Sequence, residues 1–230
     1  NDALINAIKK DTANCIASLN EAIYEGFLNK DKIVSEKRFD FIRDDPNYIS
    51  MIVNTFNNDV KLKALLFKNY LKLMPDLSLP FTESIDSVSN RLDERYINYD
   101  YAVFIPEMEN GRFSRDVTNE YMYVGKINLE NNYHAVVYKT YFAIADTLNP
   151  TKTFVITYDS IGNVIDDEII GCFCSPNTSQ AFTISKDFTI ESSEFTYKWK
   201  KDPIDKGYAG NEIESFEVIK AKQIQLGESG

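Results

Sequence analysis

Residues 154–171 read FVITYDSIGNVIDDEIIG. Two β-rich runs, Phe154–Tyr158 and Val164–Ile170, flank the five residues Asp159-Ser160-Ile161-Gly162-Asn163. Gly and Asn accept positive φ at little cost, so this spacing predicts a β-hairpin loop. Working outward, the same period of two governs both sides. Upstream, Tyr121, Tyr123 and Gly125 share one strand face, and Tyr133–Ala145 is a long run rich in Val and Tyr. Downstream, strands are expected near 181–184, 187–191 and 194–200, a loop over 201–212, and a last strand over Phe216–Leu226.

Before residue 100 the period is that of a helix. Ile5, Ile8, Cys15, Leu19 and Ala22 recur at three-to-four spacing and predict one helix over 2–28, with Asp2 as cap and Gly26 at its end. A second helix is expected over 31–43. Asp45 followed by Pro46 is a start signal, because Pro has no N–H to leave unpaired in the first turn. That helix carries Ile49, Ile52, Val53 and Phe56. Asn57-Asn58-Asp59 interrupts it, 60–74 continues, and Pro75 stops it. A fifth helix is expected over 83–97. Tyr101–Ile105 reads as a short strand and 107–120 as a loop. The fold class is therefore α+β: a helical part over 1–100, then an antiparallel β part over 101–230, as a meander sheet or partly closed barrel, with one shared core allowed.

Composition narrows the function. The chain is 43% hydrophobic with 15 Phe and 14 Tyr, enough to fill a core. The net charge is −10, and residues 101–230 hold 12 basic against 19 acidic residues. That field repels phosphate backbones and anionic membranes, and it suits a basic protein partner. No apolar run nears the roughly 18 residues of a membrane span. The chain begins at Asn1, so the expected location is cytoplasmic or, with a leader removed, periplasmic or exported.

Catalytic parts are scarce. His134 is the one imidazole, set in an alternating strand, where a structural role is expected. Cys15, Cys172 and Cys174 read as small buried hydrophobes; neighbours on one strand are poorly placed to bridge, and a zinc site needs more ligands. Asp166-Asp167-Glu168 alternate between faces and do not make a paired-acid site. Asp159–Asn163 lacks the calcium-loop spacing. No catalytic residue, cofactor or metal is expected. The candidate partner-binding residues are the acids Asp166, Asp167, Glu168, Glu191 and Glu194, with Trp199 as aromatic anchor.

The hairpin motif TYD-x-x-G-x-x-ID (157–166) and the following SKD-x-T-I strand (185–190) resemble a recurring pattern of small bacterial proteins. Several of these are exported or lipoprotein-like, and others are immunity proteins that neutralise a toxin. The resemblance implies a non-enzymatic protein-binding role, with a toxin domain as partner. The alternative is an exported or surface-anchored protein that binds a ligand or glycan.

Overall fold

The computed structural model describes residues 2–56, 60–84, 95–111, 119–142, 151–175, 177–206 and 211–227. The fold is α+β, with helices first and an eight-stranded antiparallel sheet after them that does not close. Two compact units divide the chain. One comprises Asn1–Leu71 and Asn98–Arg112, the other Lys72–Ile97 and Phe113–Gly230.

In the helical unit the expected 2–28 helix is two, α1 (Asp2–Ile8) and α2 (Thr12–Tyr24). The break is Lys9-Lys10-Asp11. Lys10 takes φ 54°, and the Asp11 carboxylate accepts from Asn14 N at 3.1 Å, capping α2. Gly26, at φ 97°, ends α2 as expected. α3 (Lys30–Ser35) is followed by a 3-10 helix, Lys37–Ile42. α4 (Pro46–Phe56) starts at the proline, and Asp45 Oδ1 accepts from Asn47 N at 2.9 Å. α5 spans Val60–Leu73. The Asn57–Asp59 break lies outside the described residues, as does most of the expected 83–97 helix.

The expected strand at Tyr101–Ile105 is instead a 3-10 helix, Tyr99–Phe104, capped by Asn98. Helical spacing turns Tyr101 and Phe104 to the same side. There Phe104 meets Phe67 and Tyr70 at ring-centroid distances of 5.2 and 5.3 Å, and Tyr101 meets Tyr70 at 5.5 Å. Burying four rings outweighs the strand preference of Ala-Val-Phe-Ile. The expected 107–120 loop opens with α6 (Pro106–Gly111), and its residues 112–118 lie outside the described set. A separate core of Cys15, Leu19, Ile33, Phe39, Ile42 and Ile52 packs α1–α4.

In the β unit, β2 (Asn119–Asn128), β3 (His134–Phe142), β4 (Thr151–Tyr158), β5 (Val164–Ser175), β6 (Thr178–Ile184), β7 (Thr189–Trp199) and β8 (Ile213–Gln225) pair in chain order. The β4–β5 hairpin forms as expected. Gly162 has φ 85°, and Asp159 Oδ1 accepts from Ile161 N and Asn163 N at 3.0 and 2.8 Å. That carboxylate closes the turn and is occupied by it. The strands expected at 187–191 and 194–200 are one strand, β7. Ser192, which looks like a break, is buried and donates to Ile170 O at 2.8 Å. The expected 201–212 loop holds one helical turn, α7 (Pro203–Lys206). Cys172 and Cys174, expected as unbridged hydrophobes, are joined by a disulfide at a register shift in β5.

β1 (Phe81–Glu83) was not expected. It pairs with β6 over Phe182–Ile184, beyond the stretch Thr178–Gln180 that β5 takes. Glu83 carries its carboxylate into the interior, where it forms an ion pair with Lys139 of β3 and accepts from Thr153 Oγ1 of β4 at 2.8 Å. Glu83 is 5% and Lys139 2% exposed. Burial pushes the Glu83 carboxyl pKa up, and the Lys139 charge opposes this. Removing one partner leaves a buried charge uncompensated, so Glu83→Met or Lys139→Met alone should cost about 3–5 kcal/mol. The double Met variant should cost less than either. Urea unfolding of all three checks the sign; additive losses would contradict the pairing.

Candidate partner-binding surface

The two ends of the sheet differ. Beyond β2, segment 75–77 lies along the strand: Lys126 N donates to Pro75 O at 2.9 Å, and Leu77 N donates to Lys126 O at 2.8 Å. Further along, Tyr123 N donates to Arg95 O at 2.8 Å and Ile97 N to Tyr121 O at 2.7 Å. Gly125 makes the close approach possible, since a Cβ there would stand 3.0 Å from Leu77 Cδ1 and 3.1 Å from Pro75 O. Beyond β8, among the described residues, no segment plays this part; β8 ends the strand order and pairs with β7 alone.

The outer reach of β7 and β8 is apolar on one face. Phe195, Tyr197 and Trp199 alternate along β7 and so point the same way. Their register partners are Val218, Phe216 and Ile213. Two register shifts on β8, skipping Ile219 and Glu214, keep these six side chains together. The Phe195 and Phe216 rings meet edge-on at 5.8 Å. Trp199 Nε1 donates to Asn177 Oδ1 at 2.9 Å, which fixes the indole. Phe216 is 61% and Val218 52% exposed. The opposite face is polar, with a Lys198–Glu214 ion pair at 2.6 Å.

The six candidate residues do not form one cluster: Asp166, Asp167, Glu168 and Glu191 lie toward the 222–226 end of β8, away from this arm. Asp166 and Asp167 are exposed on β5, opposite Thr157 and Ile156. Glu168 forms an ion pair with Lys222 of β8, so its charge is already engaged. Glu191 is exposed on β7, opposite Gln223. Glu194 lies between Gln180 and Lys220. Trp199 alone belongs to the apolar face. Phe195, Ile213, Phe216 and Val218 escaped the sequence reading. Their signal was two period-two apolar runs, 195–199 and 216–218, either side of a loop.

Comparison with known proteins finds no relative. No family model, curated protein or solved structure matches this chain. Among the described residues no helix is long and apolar enough to cross a membrane.

A hollow lies in the helical unit, with a volume of about 700 Å³. Asp45, Asn47, Asn54, Tyr99 and Asp100 are among its lining residues, and among the described residues no Lys or Arg lines it. Ser50 Oγ donates to Asp100 O at 2.7 Å, tying α4 to the 99–104 turn. Burial pushes the Asp100 carboxyl pKa up; a Ser50 hydrogen bond opposes that, and the Asp45 charge adds to it.

His134 opens β3, with its Nδ1 3.2 Å from Asn128 Oδ1. It is half-buried, and burial first, then the Lys126 charge, lowers its pKa below the usual 6.5. A lowered pKa means the folded chain binds its proton less readily than the unfolded chain. The stability tied to this group is present above the unfolded pKa and lost as pH falls through the folded one. Histidine NMR should therefore show the single imidazole titrating below 6.5, and a midpoint above it would contradict the geometry.

Proposed function

We propose that this chain is a non-catalytic protein-binding protein, most concretely an immunity-type inhibitor of a basic bacterial toxin domain. The observation that carries the reading is the β8 edge, which no described segment covers, with its exposed Phe216 and Val218, on a sheet whose other edge is covered. Exposed aromatic and aliphatic side chains of this kind supply contact energy when a partner excludes water from them. The partner's chemistry follows from charge. Residues 101–230 carry a net −7, and Asp166, Asp167 and Glu191 stand exposed on the same sheet. A basic domain would be steered by that field and then held by Phe216, Val218 and Trp199.

The test is co-expression with the products of the reading frames flanking its own, followed by calorimetry on any complex. The reading expects a one-to-one complex whose association slows with salt. Phe216→Asp should weaken it by about 30-fold or more, in line with roughly 2 kcal/mol for an interface anchor. No complex at micromolar concentrations, or one indifferent to both salt and Phe216→Asp, would sink it.

A second reading, an exported or surface-anchored protein that binds a glycan, is favoured by the hollow in the helical unit. Its amides, carboxylates and Tyr99, with no Lys or Arg among the described lining residues, suit a neutral polyhydroxyl ligand. Calorimetry with neutral oligosaccharides should then show heat that Asn54→Ala abolishes, and a silent titration across a broad set would remove this reading.

A further inference from the structure

Cys172 and Cys174 are two residues apart on one strand. In a regular strand such Cα atoms lie about 6.5–7 Å apart, at or beyond the end of the range of about 4.4–6.8 Å that a disulfide bridges. Here the separation is 5.0 Å, and β5 shifts register against β6 between Phe173 and Ser175, around Cys174. The irregularity brings the two sulfurs together.

Such a bridge is a poor staple. A disulfide stabilises mainly by restricting the unfolded chain, and a loop closed over one intervening residue restricts it very little. The β5–β6 pairing is interrupted for a bond that contributes little to folding. Its surroundings suggest another use. The Cys172 side chain is 2% exposed, whereas Cys174 is exposed. One sulfur is open to attack and the other is sheltered as a leaving group.

The neighbours have the matching charge. In register across β4 to β8 run Lys152, Cys172, Gln180, Glu194 and Lys220, each directly opposite the next. These residues and Cys174 line a cavity of about 230 Å³, bordered also by Glu168 and Lys222, which pair with each other and leave two lysines against one glutamate among the described lining residues. Gln180 Oε1 lies 3.9 Å from Cys172 Sγ. Lysine ammonium groups beside a sulfur favour its thiolate form and so make it a better leaving group.

We propose that Cys172 and Cys174 form a thiol–disulfide exchange site for small anionic thiols. The incoming thiolate attacks Cys174 Sγ and forms a mixed disulfide there. The Cys174–Cys172 bond breaks, and its electron pair leaves on Cys172 as a thiolate beside Lys152. A second thiolate then attacks the mixed disulfide at the external sulfur. It releases the oxidised small disulfide and Cys174 as a thiolate. Two external thiols are oxidised and one protein disulfide is reduced; a small disulfide runs the steps in reverse.

The experiment follows the full chain by alkylation and intact mass, with glutathione (anionic), mercaptoethanol (neutral) and cysteamine (cationic) as probes at equal thiolate concentration. The oxidised chain should present one alkylatable thiol, Cys15, after unfolding. Glutathione at millimolar concentration should open the bridge reversibly and at least several-fold faster than cysteamine. In a Lys152→Gln/Lys220→Gln variant that preference should collapse. Cys172→Ser should leave Cys174 rapidly alkylated in the folded chain, and Cys174→Ser should leave Cys172 slow. Three alkylatable thiols after oxidation, a bridge inert to glutathione, or rates blind to thiol charge would each overturn the proposal.

Discussion

Glu83 and Lys139 form a charge pair deep in the β unit, and the position of β1 depends on it. A three-residue strand has too few backbone hydrogen bonds to hold itself against a sheet. β1 is held by the Phe81 ring against Phe182 at 5.9 Å and by the carboxylate it delivers to Lys139 and Thr153, on two strands that it does not pair with. Two ions removed from water demand each other. The cost of separating them holds β1 in place, between the two stretches, 75–77 and 95–97, that cover the β2 edge. The apolar core of Val137, Val155, Ile170, Phe182 and Ile184 fills in beside this pair.

Much of the fold was legible where structure is local. The hairpin at 154–171 was readable because Asp159, Gly162 and Asn163 carry their turn chemistry within five residues. The proline start of α4 and the glycine end of α2 were readable for the same reason. Misreadings came where distant packing decides. Tyr101–Phe104 has strand-like composition, but its partners are rings on α5, more than thirty positions earlier. β1 is too short to show a period. The break at Lys9–Asp11 was visible only as charge and had been absorbed into a longer helical stripe.

The candidate surface divides along the same line. Acidity after residue 100 is a matter of composition and was readable. The choice of anchors was not, because Phe216 and Val218 join Phe195, Tyr197 and Trp199 only through the β7–β8 register. That register includes two bulges, which shift the face on which a residue appears. The disulfide has the same origin: regular strand geometry argues against a bridge at two-residue spacing, and only the irregularity at Cys174 permits it.

The unequal ends of the sheet bear on stoichiometry. A sheet with two open edges can pass a growing stack of strands from molecule to molecule without limit. Here the backbone groups beyond β2 are already spent on Pro75, Leu77, Arg95 and Ile97, and Gly125 lets that cover lie close. Any strand that adds to β8 finds no matching place at the far side for the next molecule. Edge pairing in this protein therefore terminates after a single addition, which suits a partner that must be matched one for one and keeps an exposed apolar strand from seeding a fibre.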